Sequence, residues 1–185
     1  DFAVSYIWRE VFQRDSMMDI LHRFMNLESK EEKVRRKNGK EDKVVKKTLI
    51  FPRYHQLDVV RKLVAHVKQH GSGSNYLIQH SAGSGKSNSI AWVAHRLSTL
   101  FNAENQPIFS SVIVVTDRTV LDAQLRNTIS GHDHTRGVIA AIDDDKTSQD
   151  LKDAINAGAR IIITTLQKFP VIYREVIHYE GRRYG

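Results

Sequence analysis

Apolar residues recur at helical spacing in two parts of the first third of the chain. Between residues 7 and 27 they predict two amphipathic helices, the second of which Asp15 or Ser16 is placed to cap. Between residues 57 and 67 they predict another helix. The intervening residues 28–47 are almost devoid of apolar side chains and contain the turn signal Asn38-Gly39. We therefore predict a helical segment over 1–27 and a charged linker or exposed hairpin over 28–47.

From residue 76 onward the pattern changes to short apolar runs that alternate with helical stretches. The β-branched runs SVIVVT at 111–116 and RIIITT at 160–165 are typical of strands buried on both faces of a parallel sheet. This alternation predicts an α/β fold in which right-handed crossovers build a doubly wound parallel sheet flanked by helices. Predicted strands cover 76–79, 111–116, 137–141 and 160–165, and predicted helices cover 86–101, 120–129, 148–156 and 171–177.

Composition and charge narrow the function classes without choosing among them. The 185 residues carry 28 Lys and Arg against 21 Asp and Glu, and the stretch from Glu28 to Lys47 holds nine of the basic and five of the acidic residues. Such an excess permits binding to nucleic acid but does not establish it. The absence of cysteine excludes disulfides and thiolate zinc sites, and no apolar run suits a membrane span or signal peptide. We expect a cytoplasmic protein without membrane association.

A glycine-rich loop links the predicted strand at 76–79 to the predicted helix that starts at Lys86. Its sequence is AGSGKS at 82–87, where glycines let backbone N–H groups wrap a phosphate and the helix N-terminus adds partial positive charge. The lysine would reach the β and γ oxygens of a nucleotide, and Ser87 would hold Mg2+. His80 replaces the first glycine of the strict pattern, which argues against a GTPase or small-molecule kinase. A plain strand-to-helix turn would explain the glycines but not the Lys-Ser pair.

Four blocks, in the order expected, resemble the motor subunit, or R subunit, of type I restriction-modification enzymes. They are FPRYHQLDVV at 51–60, YLIQHSAGSGKS at 76–87, IVVTDRTVLDAQ at 113–124 and ITTLQKF at 163–169. The last two are similar to motifs Ia and Ib of superfamily 2 motors. The resemblance implies a RecA-like P-loop domain whose ATP hydrolysis drives translocation on double-stranded DNA, while a separate nuclease domain cuts the DNA.

The resemblance places a nucleotide site on the first two blocks. Gln56 takes the position of the glutamine that reads the adenine edge, although taken alone it is better explained as a solvent-facing glutamine that opens a helix. Lys86 would be catalytic by neutralising the charge of the β and γ phosphates, and Ser87 would bind Mg2+. The implied cofactors are ATP and Mg2+, held by Gln56, Ala82, Gly83, Ser84, Gly85, Lys86 and Ser87.

The third and fourth blocks carry candidate DNA contacts. Asp117, Arg118, Thr164 and Thr165 stand at the carboxyl ends of predicted strands, where open α/β sheets bind ligands. The resemblance assigns them to the DNA backbone, whereas capping and loop hydrogen bonds explain them equally well. The implied partners are double-stranded DNA and the specificity and methylation subunits of a bacterial or archaeal type I complex.

Other clusters of charged residues and histidines resemble nuclease or metal sites in their sequence alone. Glu31-Glu32-Lys33 spells the Glu-x-Lys of restriction nucleases, but a charge run without a predicted strand favours a solvated face. Asp143-Asp144-Asp145 and His132-Asp133-His134 lack further ligands spaced to close a metal site and are interpreted as polar loops. His80 is interpreted as a structural histidine or a remote nucleotide contact.

The motif order also bears on domain organisation. The Asp-Glu-Ala-His box that follows in the family does not occur in these 185 residues. We therefore expect 48–185 to be the N-terminal part of a first RecA-like domain, truncated before that box, and 1–27 to lead from an upstream nuclease domain. Such a segment would bind nucleotide without efficient turnover. Two alternatives remain open: another superfamily 2 helicase or remodeller, and a non-catalytic DNA- or protein-binding module with a degenerate loop.

Overall fold

The computed structural model describes residues 2, 4–35, 41–116, 119–131, 139–141 and 148–166. The chain divides into two compact units, Asp1–Tyr54 and His55–Gly185. The described elements are a π-helical turn Ile7–Val11, α1 Arg14–Arg23, β1 Asn26–Arg35, β2 Glu41–Ile50, α2 Tyr54–His70, α3 Lys86–Ser98, β3 Val112–Thr116, α4 Thr119–Gly131, β4 Ile139–Ala141, α5 Ser148–Asn156 and β5 Ile161–Thr165. None of the described helices has the length and apolar character needed to cross a membrane.

The first unit begins with the predicted helical segment. Helix α1 buries Ile20 in its last turns, and Phe24 directly after it is also fully buried. The predicted N-cap at Asp15 or Ser16 is wrong, because the helix already starts at Arg14 and Gln13 takes the cap position without a side-chain bond. Asp15 instead lies in the first turn, where its negative charge complements the positive end of the helix dipole.

Strands β1 and β2 pair over their whole length as a long antiparallel hairpin. The register runs from Asn26 opposite Ile50 to Arg35 opposite Glu41 without interruption. Glu31-Glu32-Lys33 therefore lies within β1, so the argument that no strand surrounds this triplet is wrong. Hydrophobicity gave no strand signal there because the hairpin is held by its backbone ladder, and none of its described side chains is buried in a core. Among the described residues, no group of three or more His, Asp or Glu side chains is arranged to hold a metal ion.

The second unit is built on a parallel sheet with the strand order β3-β5-β4. Central strand β5 is buried along its whole length, as its run of isoleucines predicts. On one face Ile161 and Ile163 pack with residues of α3 and α4, and on the other Ile162 packs near Ala154 and Ile155 of α5. The predicted α/β class, a RecA-like parallel sheet flanked by helices, is confirmed.

The predicted strand at 76–79 is absent from the described sheet. Residues 75–80 form no helix or strand, and the described strands β3, β5 and β4 pair only with one another. Tyr76 and Ile78 are exposed and Leu77 is 95% exposed. An extended segment becomes a strand only when a neighbour supplies its ladder hydrogen bonds, and an apolar composition cannot supply that neighbour. The predicted helix at 171–177 lies outside the described residues.

Helix α3 is anchored at its C-terminal half. The ring Nε2 of His95 lies 2.8 Å from the carbonyl oxygen of Ile129 near the end of α4, and the guanidinium of Arg160 donates to the carbonyl oxygen of Ser98 over 3.4 Å. Ala91, Trp92 and Ala94, which precede these two anchoring residues, are buried. The glycine-rich loop leads into the opposite, N-terminal end of α3, so the anchored helix fixes where that loop ends.

Candidate nucleotide site

The glycine-rich loop adopts left-handed backbone conformations at two of its glycines. Gly83 has φ +72° and Gly85, which caps α3, has φ +81°. Residues other than glycine rarely adopt these backbone angles. A Cβ atom added to Gly85 would lie 2.5 Å from Nε2 of Gln56, whereas one added to Gly83 would meet nothing within 4 Å. Gly85 is therefore required both by its backbone angle and by the close approach of α2.

Two side chains in the first turn of α2 bind backbone carbonyl oxygens of the loop. Gln56 is 3% exposed, and its amide Nε2 donates to the carbonyl oxygens of Gly85 over 2.9 Å and of Ser84 over 3.2 Å. The ring Nε2 of His55 lies 3.2 Å from the same Ser84 oxygen. The solvent-facing alternative for Gln56 is therefore wrong. Its role towards adenine stays a prediction, and the structure adds a contact with the loop that the sequence did not indicate.

His55 also contacts the residue that replaces the first glycine of the strict P-loop pattern. The rings of His55 and His80 meet edge to face, with centroids 5.0 Å apart and planes at 88°. His80 Nδ1 is buried without a hydrogen-bond partner among the described residues. Together with Gln56, His55 ties the loop to α2 from the side of Ser84.

Lys86 is the first residue of α3, and its side chain turns back over the loop. Its ammonium donates to the carbonyl oxygens of Ser81 over 2.8 Å and of His80 over 3.3 Å, and the residue is exposed. A phosphate oxygen carries more negative charge than a carbonyl oxygen and makes a stronger bond to an ammonium group. The lysine is thus placed at the opening of the loop, where it can exchange its carbonyl partners for phosphate.

The loop fits a phosphate group. A helix leaves its first N–H groups without intrahelical partners, and at α3 these belong to residues next to Gly85. The buried hydroxyl of Ser84 has no hydrogen-bond partner among the described residues. Ser87 is half-buried in the first turn of α3, and Ala82 is exposed ahead of it. The predicted loop residues 82–87 are therefore brought together as one cradle.

The predicted DNA contacts are only partly described. Thr164 and Thr165 are the last two residues of β5 and are 0% and 2% exposed. Contact with a DNA backbone would require these side chains to become uncovered. Asp117 and Arg118 lie outside the described residues, as do the clusters 132–134 and 143–145. The assignment of these four residues to DNA stays a prediction.

Thr116, which the sequence argument did not single out, belongs with Thr165. The two residues pair at the carboxyl ends of β3 and β5, and both Oγ1 atoms are buried without a hydrogen-bond partner among the described residues. Strand alternation places them on the same sheet face as Ile163, the face covered by α3. The sequence signal that could have found Thr116 is its place as the last residue of a β-branched run, a place that Thr165 shares in the run at 160–165.

We expect Thr165→Val to stabilise the chain by about 1 kcal/mol, because it removes an unpaired buried hydroxyl and keeps the branched shape. Thermal unfolding measures the change, and the midpoint should rise by roughly 2–4 °C. Ser98→Ala is the matched control, since the Ser98 hydroxyl donates to the carbonyl oxygen of His95 over 3.0 Å. That control should lower the midpoint, and an equal loss in Thr165→Val would show that its hydroxyl is bonded.

Comparison with known families identifies the second unit. The family model of SWI2/SNF2 ATPases matches residues 55–181. The chain belongs to the SWI2/SNF2 ATPase family. The match starts at His55, the first residue of the second compact unit, so this unit is a helicase-like ATPase motor domain of superfamily 2. Comparisons with curated proteins and with solved structures give no significant match.

Proposed function

We propose that the second unit binds ATP with Mg2+ at the 82–87 loop as part of a motor in which ATP hydrolysis drives movement along double-stranded DNA. The observation that carries the proposal is the loop held by Gln56 and His55 with the Lys86 ammonium at its opening. Lys86 would neutralise the β and γ phosphates, and the Ser87 hydroxyl would ligate Mg2+. Catalysis of phosphoryl transfer depends mainly on such positioning and charge.

The proposal extends to the larger assembly. The order of the four sequence blocks supports an R subunit of a type I restriction enzyme, which works with specificity and methylation subunits and cuts DNA after translocation. Within that assignment Gln56 faces the adenine as well as the loop. An amide side chain suits that task because it can both donate and accept a hydrogen bond.

A remodeller is the second candidate, and the SWI2/SNF2 match favours it equally. Such a motor uses the same ATP site to displace proteins from DNA and needs no methylation or specificity subunit. The nucleotide chemistry of the two candidates is shared, so only their partners and DNA products separate them.

Co-expression of the chain with the methylation and specificity subunits from the same genome tests the assignment. We expect a complex that survives size-exclusion chromatography. When the chain is joined to a segment that supplies the Asp-Glu-Ala-His box, the complex should release phosphate faster on DNA that carries the unmethylated recognition sequence. ATP-dependent displacement of a DNA-bound protein by the chain without these subunits would favour the remodeller and contradict the restriction assignment. A chain that binds no nucleotide in either setting would leave only the non-catalytic module.

A further inference from the structure

Two histidines stack on one another at the C-terminal end of α2. His66 and His70 stand about one helical turn apart, and their rings lie nearly parallel, with centroids 4.0 Å apart and planes at 17°. Residues four positions apart on a helix share a face, which explains the contact. Both residues are exposed. The pair belongs to the second unit and includes no residue of the 82–87 loop.

The Nδ1 atom of each ring already has a partner. His70 Nδ1 lies 3.0 Å from the carbonyl oxygen of His66, and because a carbonyl oxygen only accepts, this nitrogen carries the proton of the bond. His66 Nδ1 lies 2.8 Å from the hydroxyl oxygen of Tyr76, whose ring meets the His66 ring edge to face. A neutral imidazole protonated at Nδ1 presents a lone pair at Nε2. Within the described part of the chain, neither Nε2 atom has a hydrogen-bond partner.

The two Nε2 atoms suit a transition-metal ion. A histidine that ligates a metal usually donates its other ring N–H to an oxygen, which fixes the tautomer and the ring orientation, and both rings have such an oxygen. Since a zinc–nitrogen bond is about 2 Å long, two nitrogens on one ion lie at most about 4 Å apart. The ring centroids are separated by 4.0 Å, so small side-chain rotations would bring both nitrogens onto one ion.

The charges around the pair permit a bound cation. His70 is the last residue of α2, where carbonyl groups without intrahelical partners give the helix end a partial negative charge. Lys62, one turn before His66, has its ammonium 2.9 Å from Asp58, which lies a further turn away from the histidines. Lys68 is two positions from each histidine and therefore does not share their face.

We propose that His66 and His70 bind a divalent transition-metal cation through their Nε2 atoms, with Tyr76 as a positioning residue. Two protein ligands leave the remaining coordination positions to water. Imidazole nitrogen suits zinc, nickel and copper ions, whereas Mg2+ takes oxygen ligands, so this site is chemically distinct from the one proposed at Ser87. A bound ion would hold the His66 ring in the orientation that bonds Tyr76, and would thereby tie the end of α2 to the segment that leads into the glycine-rich loop.

Calorimetric titration of the full chain with ZnCl2, without nucleotide or Mg2+, tests the site. The unchanged chain should bind one more equivalent of Zn2+ than either His66→Gln or His70→Gln, because one imidazole alone cannot chelate the ion. Affinity should rise from Co2+ through Ni2+ to Cu2+, and Mg2+ should not compete. At a Zn2+ concentration about 100 times the dissociation constant, the unfolding midpoint of the unchanged chain should rise by roughly 5–10 °C. Without metal both variants should unfold near the unchanged midpoint, since glutamine suits an exposed helix position.

His22→Gln is the matched control. His22 is also exposed in the last turn of a helix, α1, but no histidine stands three or four positions from it, so this variant should bind Zn2+ as the unchanged chain does. Tyr76→Phe keeps both histidines and should weaken binding about tenfold, because it removes the hydroxyl that orients His66. Undiminished Zn2+ binding in either histidine variant, or an equal loss in His22→Gln, would overturn the site. An unchanged affinity in Tyr76→Phe would overturn the role of the tyrosine.

Discussion

Replacing Lys86 with alanine should weaken ATP binding by roughly 10- to 100-fold, because a charge-assisted bond to phosphate contributes about 1.5–3 kcal/mol. Any DNA-dependent hydrolysis by the assembled enzyme should fall by a further 10²- to 10³-fold, of the order found when an oxyanion-stabilising group is removed. The stability of the folded chain should change little, because the Lys86 side chain is exposed and its partners are carbonyl oxygens of its own loop. Titration with a fluorescent ATP analogue measures the affinity, and thermal unfolding measures the stability.

Lys62→Ala is the control for charge and side-chain length. Lys62 is an exposed lysine on α2 whose ammonium lies 2.9 Å from Asp58 in an i,i+4 ion pair. Such exposed pairs contribute little to stability, so this variant should bind ATP as the unchanged chain does. Similar affinities for Lys86→Ala and Lys62→Ala would contradict the role of Lys86 and, with it, the motor assignment.

The parallel sheet could be predicted because its signal is local. Strand β5 lies between β3 and β4 and is buried throughout, and a central parallel strand requires the isoleucine run that the sequence shows at 161–163. The segment at 76–79 has a similar apolar content but lacks a strand partner among the described residues. A local pattern therefore locates candidate strands, while pairing decides which of them join the sheet.

The site was predicted in part for the same reason. The loop glycines and Lys86 are contiguous, and their spacing predicts a phosphate cradle. The bonds from Gln56 join residues 28 and 29 positions apart, and no local pattern encodes them. The hairpin is an intermediate case: the charged sequence left a linker and an exposed hairpin open, and the backbone register of β1 and β2 decides for the hairpin.

Replacing Gly85 with alanine should destabilise the chain by about 3 kcal/mol, a large share of the stability of an ordinary domain. Backbone strain at φ +81° accounts for roughly 1–2 kcal/mol. The remainder follows because the new Cβ would lie 2.5 Å from Nε2 of Gln56, so the amide must move and give up its two loop carbonyls. The unfolding midpoint should fall by roughly 10 °C, and ATP affinity should fall with the loss of loop geometry.

Gly83→Ala separates the two causes, since Gly83 has φ +72° and open space around its Cβ position. Gly83→Ala should destabilise the chain only by the backbone strain, roughly 1–2 kcal/mol. Combining Gly85→Ala with Gln56→Ala should cost less than the sum of the two single changes, because the second change removes the atom that the Cβ strikes. Equal losses for Gly83→Ala and Gly85→Ala, or strict additivity with Gln56→Ala, would show that Gln56 does not position the loop. The coupling energy between these two residues therefore measures how firmly α2 holds the phosphate cradle, independently of any catalytic assay.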